Sequence, residues 1–331
     1  MDILQSTFGH YNSEKIMAIK LINDNNVASV CLTLGASWYE FLVPTKNKGS
    51  QNILLNLNNI TAYIKDSLKI GKSIGRVAGV VQNGEYNIGN AHYVLPQNDG
   101  NNTLDGGPHG FSYWNWNYTT SITKDSVSVI FQKQINEAMD GFPGNILATI
   151  IYTLDNNNKV SLSYSAMNGK IASLFDPTCN VYFDLNPQHD LSTQELQVNG
   201  NGILVTDKYH VPTGDIREIT DTPYDFDCFQ NVGQRLNLLH DLNEVYLIND
   251  NKNKSFANTA TIRDKTQGHQ IILNTERSGL RVHVLKDQGA IGLKVETLPD
   301  AIHHPDFGNI ILPKYSKRTY HFSFTYHSLS Y

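Results

Sequence analysis

The stretch Ala290-Ile291-Gly292-Leu293-Lys294-Val295-Glu296-Thr297-Leu298-Pro299-Asp300 combines a strand with a carboxylate at its end. Apolar residues alternate up to Val295, and Pro299 cannot continue a sheet because it has no N–H to donate. We therefore predict a strand that ends near Glu296 and holds its side chain at the rim of a sheet. A half-buried carboxylate there suits a general base. The same pattern also fits a glutamate that only accepts hydrogen bonds from backbone groups at a strand end.

Alternating apolar and polar residues elsewhere in the chain indicate further strands. Residues 29–34 and 126–131 show the period of two that is typical of half-buried strands. The same period places Tyr320, Phe322, Phe324 and Tyr326 on one face of a late strand. Turns rich in Asn, Asp and Gly recur between these segments, which favours an antiparallel sandwich over alternating strands and helices.

Two adjoining segments predict a β-hairpin. Residues 145–154 form an almost continuous apolar run, typical of a strand covered on both faces, and alternation resumes over 160–166. The connecting Asp155-Asn156-Asn157-Asn158 has turn chemistry. Helical spacing is scarce, with one short helix predicted over 58–68. We predict an all-β fold in which residues 1–331 form a single large domain.

Composition restricts the classes of partner and ligand. Charged residues make up 17% of the 331 residues, and the net charge is -5, without a basic stripe for nucleic acid. No run of about 18 apolar residues predicts a membrane helix, and the N-terminus lacks a signal pattern. Cys31, Cys179 and Cys228 lack metal-ligand spacing and are interpreted as reduced thiols of a cytoplasmic protein. The expected ligand is small and uncharged.

Several segments, taken in order, carry a more specific signal. They comprise Leu34-Gly35-Ala36 with Val43-Pro44, Ile74-Gly75-Arg76-Val77-Ala78-Gly79-Val80-Val81, Asn101-Asn102-Thr103-Leu104-Asp105-Gly106-Gly107-Pro108-His109-Gly110-Phe111, Pro177-Thr178-Cys179-Asn180-Val181-Tyr182-Phe183-Asp184-Leu185, Val211-Pro212-Thr213-Gly214-Asp215 and Glu296-Thr297-Leu298-Pro299-Asp300.

From about residue 28 to the C-terminus, these segments resemble the aldose 1-epimerase (galactose mutarotase) family. The resemblance implies one galactose mutarotase-like supersandwich domain with an open sugar cleft. It also implies an isomerase that interconverts the α and β anomers of a free sugar. In such a reaction a base takes the proton of the anomeric hydroxyl and an acid protonates the ring oxygen, so the ring opens and recloses. Neither a cofactor nor a metal is implied.

The resemblance places Glu296 at the position of the base. Asn180 stands where the family has its acid histidine, and an amide has no proton to donate at physiological pH. Asp105 replaces a second histidine. It is either a substitute acid, kept protonated by a nearby carboxylate, or a turn residue hydrogen-bonded to the backbone of Gly106 and Gly107. His109 either reaches the sugar or lies on the surface, and Arg76 matches a structural arginine of the family.

Sugar-binding positions are also changed. Gly79 and Val80 occupy the places of an Asn-Arg pair, and the loss of that cation argues against a sugar phosphate. Asn243 stands where the family has an aspartate, with Asp241 as the alternative if the loop shifts by two residues. Arg281 is a candidate to compensate for the lost arginine.

Two functions remain open from the sequence. One is an isomerase acting on galactose, glucose or a disaccharide such as maltose, with Glu296 as its base. The other is a carbohydrate-binding protein that has lost the general acid. The catalytic interpretation requires that Glu296 face a concave surface and not be paired with a lysine deep in the core. The candidates for either the cleft or internal packing are Trp38, Trp114, Trp116 and the pair His303-His304.

Overall fold

The fold is built almost entirely from antiparallel strands in a computed structural model that describes residues 1–45, 49–248 and 258–329. In chain order, the strands are β1 (Asp2–Tyr11), β2 (Glu14–Ile22), β3 (Ala28–Leu32), β4 (Ser37–Pro44), β5 (Ser50–Asn52), β6 (Ser73–Ile74), β7 (Val80–Val81), β8 (Glu85–Ile88), β9 (Ala91–Val94), β10 (Thr103–Leu104), β11 (Asn117–Ile122), β12 (Ser126–Ile135), β13 (Ile146–Asp155), β14 (Lys159–Asn168), β15 (Ser173–Leu174), β16 (Thr178–Cys179), β17 (Tyr182–Phe183), β18 (Gln194–Val198), β19 (Gly200–Thr206), β20 (Pro212–Glu218), β21 (Gln230–Asn231), β22 (Asn243–Ile248), β23 (Ala260–Asp264), β24 (His269–Thr275), β25 (Gly279–Leu285), β26 (Ala290–Glu296), β27 (Ile311–Leu312) and β28 (Lys317–Ser328).

Helices are short and peripheral. They are α1 (Ile60–Lys65), α2 (Glu137–Asp140) and α3 (Val232–Leu239). The helix predicted over 58–68 is confirmed as α1. Asn59 caps it because its side chain accepts a hydrogen bond from the backbone N–H of Ala62.

Two large sheets form the body of the sandwich. The nine-stranded sheet has the order β11-β12-β13-β14-β28-β24-β23-β18-β21, and the six-stranded sheet has the order β17-β26-β25-β22-β19-β20. A third sheet, β1-β2-β3-β4-β5, comes from the start of the chain. Side chains from all three sheets meet in one buried apolar cluster. The predicted antiparallel β-sandwich is confirmed, and the assignment of residues 1–331 to a single domain stays a prediction.

The predicted hairpin is confirmed as β13 and β14, which pair from Ile146 to Leu154. Its first strand departs from the prediction that both faces are covered. Residues of β13 alternate between buried and at least partly exposed, because only one face points toward the apolar cluster. Residues 29–32 were predicted to be half-buried, but the structure buries them on both faces. Cys31 packs into the main cluster, and Leu32 packs with Tyr63 of α1 on the other side.

The aromatic residues of β28 occupy the predicted faces. Phe322, Phe324 and Tyr326 are buried in the main cluster, whereas His321 and His327 are exposed on the other side. The tryptophans are explained by packing. Trp38 is fully buried among Phe41, Phe183 and Phe324, and Trp116 belongs to the same cluster with Trp114 packed against it.

Candidate active site

The alternation of side chains along β26 separates a core face from a polar face. Ile291, Leu293 and Val295 point into the main apolar cluster. Because successive side chains of a strand point to opposite faces, Lys294 and Glu296 project on the other side of the six-stranded sheet. The strand ends at Glu296, as predicted.

The carboxylate of Glu296 lies between two cations. Arg281 on the neighbouring strand places Nε 3.3 Å from Oε1, and Lys294 places Nζ 3.3 Å from Oε2. Glu296 is fully buried and not half-buried as predicted, and the predicted base does form an ion pair with a lysine, Lys294. The side chain of Arg281, which contacts the same carboxylate, is 24% exposed. The buried pair of Lys294 and Glu296 is therefore connected to the surface through Arg281.

A tight turn brings Gly79 against this carboxylate. A Cβ atom added to Gly79 would lie 3.6 Å from Glu296 Oε2 and only 3.0 Å from Pro299 Cβ. Gly79 also has φ +71°, a conformation that glycine adopts without strain. A side chain at this position would therefore intrude on the space beside Glu296.

Asp105 lies opposite Gly79, because β7, which follows Gly79, pairs with β10, which precedes Asp105. The N–H of Gly79 donates to Asp105 Oδ1 at 2.9 Å, and the N–H of Asp105 donates to the Gly79 carbonyl at 2.9 Å. Lys294 Nζ lies 3.1 Å from Asp105 Oδ1. The Asp105 side chain is therefore hydrogen-bonded to the backbone of Gly79 and not to the predicted Gly106 and Gly107, and Lys294 links it to Glu296.

The electrostatics of Asp105 favour its ionised form. Burial by itself raises the pKa of this carboxyl, but the ammonium groups of Lys294 and Lys69, with the Gly79 N–H, outweigh it and lower the pKa to about 2. Lys69 also donates to the Asp105 carbonyl at 3.2 Å. An aspartate with this pKa holds no proton at neutral pH, so it is better suited to anchor Lys294 than to act as an acid.

Arg281 joins two of the predicted binding residues. Its Nε contacts Glu296, and its Nη1 lies 3.4 Å from Asn243 Oδ1. Asn243 begins β22 and is exposed, so its amide faces solvent beside the buried carboxylate. The assignment of the motif to Asn243, instead of to Asp241, places a polar group next to Glu296 in space.

Asn180 lies at the edge of the same group. Leu293 N–H donates to the Val181 carbonyl, and this antiparallel register, continued by one residue, brings Asn180 level with Lys294. The Asn180 side chain donates to the Leu68 carbonyl at 2.6 Å. Asn180 is partly exposed, so one face of its amide is available to a ligand.

Val80 and His109 occupy different surroundings. Val80 is buried and pairs with Leu104, so it places an apolar side chain one residue beyond Gly79. His109 is exposed, and it makes no hydrogen bond or ion pair within the described part of the chain. The structure therefore does not bring His109 to Glu296. Val80, in contrast, directly follows Gly79, which packs against Glu296.

Sequence reasoning missed Lys294 as a member of the site. The signal was present, because Lys294 precedes Glu296 by two residues and a strand places such residues on one face. It also missed the pair Tyr182 and His283, whose Oη and Nδ1 are 2.9 Å apart. Burial raises the pKa of Tyr182 to about 12 and lowers the pKa of His283. His283 pairs with Gly292 on the neighbouring strand, and Gly292 precedes Glu296 by four positions. Four positions span about 13 Å along a strand, so the pair of Tyr182 and His283 lies away from Glu296.

A buried network fixes the backbone directly after Glu296. Asp176 accepts hydrogen bonds from the Thr297 N–H at 3.2 Å and from the Thr297 hydroxyl at 2.6 Å. Arg277 forms an ion pair with the same aspartate. These contacts hold the end of β26 in one position and so restrict the orientation of Glu296.

The two histidines beyond this strand pack against the chain. His303 Nδ1 lies 2.7 Å from Asp300 Oδ1, and His304 stacks on Phe307 with ring centroids 4.7 Å apart. Asp300 also accepts a hydrogen bond from the Gln82 N–H at 3.1 Å. Of the two interpretations left open for His303 and His304, packing within their loop is the one that these contacts support.

Neither a membrane-crossing helix nor a metal-ligand cluster is found among residues 1–45, 49–248 and 258–329. Within those ranges, no helix has the length and apolarity needed to span a bilayer. No group of three or more His, Cys, Asp or Glu side chains there is arranged to hold a metal ion.

Comparisons with known proteins agree on one family. A family model described as Aldose 1-epimerase matches residues 17–325. An aldose 1-epimerase of Streptococcus thermophilus is 33% identical, with 100% of both chains covered, and a maltose epimerase of Levilactobacillus brevis is 32% identical over 95% of each. In fold, the chain is similar to the crystal structure of a galactose 1-epimerase from Lactobacillus acidophilus, with a TM-score of 0.85, 22% identity and 99% of each chain covered.

Proposed function

The chain belongs to the aldose 1-epimerase family and is an isomerase that interconverts the α and β anomers of a free sugar, and we propose that Glu296 is its general base. The observation that supports this role most directly is the position of the carboxylate. It ends β26 on the polar face of the sheet, beside the exposed amide of Asn243 and the partly exposed Arg281. Sugar hydroxyls are recognised by such groups.

The reaction also needs a proton donor, and Lys294 is our candidate. An ammonium group has three protons to donate, whereas the pKa of Asp105 leaves that carboxylate without one. The anomeric hydroxyl and the ring oxygen are bonded to the same carbon, C1. A base and an acid only 3.3 Å apart can therefore serve both oxygens of one sugar.

Each proton is returned within one cycle. Glu296 takes the proton of the anomeric hydroxyl while Lys294 gives a proton to the ring oxygen, and the bond between C1 and the ring oxygen breaks. The aldehyde then turns about the C1–C2 bond. Lys294 recovers its proton as the ring oxygen attacks the other face of C1, and Glu296 returns its proton to the new hydroxyl. The carboxylate and ammonium become neutral together, so the net charge of the site does not change.

The remaining residues position these two groups. Asp105 and Arg281 fix Lys294 and Glu296 through ion pairs, and Gly79, which has no Cβ, packs closely against Pro299 and the carboxylate. Asn180 and Asn243 are the proposed hydroxyl-binding amides, with Val80 as apolar lining. His109 is exposed and makes no contact with these groups in the described part of the chain, so it is not among the proposed binding residues.

Polarimetry tests the role of Glu296. We expect the protein to accelerate the change in optical rotation of freshly dissolved α-glucose, α-galactose or maltose. Glu296→Gln keeps the shape of the side chain but removes the base, so the acceleration should fall by about 10²–10⁴. A matched change at an exposed glutamate, Glu218→Gln, should leave it unaltered. Saturable sugar binding without any acceleration by the unaltered protein would instead indicate a carbohydrate-binding protein.

A further inference from the structure

The polar face of the six-stranded sheet continues beyond the groups that surround the proposed base. His283 and Arg281 are two positions apart on β25, so their side chains project on the same face. Their cross-strand partners on β26 are Gly292 and Lys294. His283 therefore lies on the face that carries Lys294 and Glu296, about 7 Å along the strand from Arg281.

A buried tyrosine holds the ring of His283. Tyr182 Oη lies 2.9 Å from His283 Nδ1, and the two rings meet edge to face with centroids 5.7 Å apart. Tyr182 reaches His283 across β26 because Gly292 has no side chain, and a Cβ atom there would lie 2.7 Å from a ring carbon of Tyr182. Tyr182 is only 3% exposed and packs with Ile70 and Ala290. The orientation of the imidazole is therefore fixed before any ligand binds.

The second ring nitrogen of His283 is available to a ligand. His283 is partly exposed, and its Nε2 makes no hydrogen bond within the described part of the chain. Burial lowers the pKa of His283, with Arg281 and Lys294 acting in the same direction and Asp241 against them, so the ring is uncharged at neutral pH. Whichever nitrogen carries the proton, Nε2 can bond a hydroxyl group, because a hydroxyl group both donates and accepts.

One guanidinium group connects this position to the proposed base. Arg281 places Nε 3.3 Å from Glu296 Oε1 and Nη1 3.4 Å from Asn243 Oδ1. Because both nitrogens belong to one planar group, these two oxygens are at most about 9 Å apart. Asn243 pairs directly with His283 across β22 and β25, so their Cβ atoms are about 5 Å apart. With a hydrogen bond at each end, a single pyranose is long enough to bridge Glu296 and His283.

We propose that His283, positioned by Tyr182, binds the hydroxyl group at C4 of a sugar whose C1 faces Glu296. This inference rests on the proposed function. In a pyranose, C1 and C4 are at opposite ends of the ring, just as Glu296 and the adjacent pair of His283 and Asn243 are at opposite ends of the Arg281 guanidinium. Glucose and galactose differ only in their configuration at C4. His283 is then the residue that sets the preference of the enzyme between these two sugars.

Kinetics with sugars that lack one hydroxyl group test this contact. His283→Ala should lower kcat/KM for glucose by about tenfold, the size of one lost hydrogen bond, and change the value for 4-deoxyglucose by less than about twofold. It should also move the ratio of the glucose and galactose values toward unity. Tyr182→Phe keeps the packing of the ring but removes its hydroxyl group, so it should cause a smaller loss with the same dependence on the C4 hydroxyl. His327→Ala, at an exposed histidine of β28, is the matched control and should change none of these values.

The outcomes separate this inference from the proposed function. Equal losses for glucose and 4-deoxyglucose, or no loss for either, would overturn the contact, as would a loss that disappears with 3-deoxyglucose instead. If the unaltered protein accelerates neither glucose nor galactose, the proposed function fails, and calorimetric binding then decides about His283. Glucose binding that His283→Ala weakens, with binding of 4-deoxyglucose unchanged, would still support the contact. Equal weakening for both sugars, no weakening, or no binding of glucose would refute it.

Discussion

Lys294 and Asp105 are separated by 189 positions in the chain, yet Nζ of the first lies 3.1 Å from Oδ1 of the second. The contact joins the strand that carries Glu296 to the turn that carries Gly79. One ammonium group is therefore shared between a carboxylate that it holds ionised and the carboxylate proposed as the base. This relationship sets up the most direct test of how the ring oxygen is protonated.

We predict that Lys294→Met lowers the rate of mutarotation by about 10²–10⁴, the usual effect of removing a positioned acid. Lys294→Arg should be nearly as slow, because a guanidinium keeps the charge but does not release a proton. Polarimetry at saturating sugar measures both. Lys314→Met, at an exposed lysine, is the control. Near-normal activity of Lys294→Arg would show that the charge of Lys294 matters and its proton does not.

Asp105 should stabilise the fold in a manner that depends on acid pH. Its folded pKa is about 2 against 3.8 unfolded, so its contribution is present above pH 3.8 and is lost as the pH falls toward 2. One pH unit of pKa difference corresponds to about 1.4 kcal/mol, which gives roughly 2 kcal/mol at neutral pH. Urea unfolding of the protein and of Asp105→Asn between pH 2.5 and 7 measures this difference.

The Lys294→Met background provides the check on that explanation. Without the ammonium of Lys294, the effect of Asp105→Asn at pH 7 should shrink markedly, because the ion pair is the first of the favourable charge interactions of this carboxylate. If the two substitutions are simply additive, the stabilisation of Asp105 comes from elsewhere in the turn.

The buried pair Arg76 and Asp140 should stabilise the fold. Both side chains are fully buried, and Arg76 Nε lies 2.7 Å from Asp140 Oδ2. Arg76→Met leaves that carboxylate without its cation and should cost about 3–5 kcal/mol in unfolding free energy. The double variant Arg76→Met/Asp140→Leu should recover only part of the loss, because Arg76 also donates to the carbonyls of Pro143 and Gly144. If Arg76→Met has the same unfolding free energy as the unaltered protein, this role is refuted.

His303 should couple stability to neutral pH. Its hydrogen bond with Asp300 is the main cause that raises the pKa of this histidine above 6.5. The resulting stability is fully present below pH 6.5 and is lost as the pH rises through the raised value. The side chain is 30% exposed, so the effect should stay below about 1 kcal/mol. The measurement is the unfolding free energy of the protein and of His303→Asn at pH 5.5 and 8.5. If the difference between protein and variant is the same at both pH values, the coupling is excluded.

Local patterns in the sequence were sufficient for the elements that depend on neighbouring residues. The end of β26 at Glu296, the hairpin of β13 and β14, and helix α1 all follow from alternation, turn residues or a cap. Burial of whole faces was less predictable. Residues 145–154 were wrongly expected to be covered on both sides, since a run of apolar residues does not show which layer lies above it.

The sequence by itself determined the class of fold and the carboxylate at the strand end, because both depend on residues that are close together in the chain. Only the tertiary structure decided what surrounds that carboxylate. It brought Lys294, Arg281 and Asp105 together from separate strands and turns, and the resulting charges leave Asp105 ionised. Coulombic interaction and desolvation depend on distances in space and on burial, which the order of residues does not give.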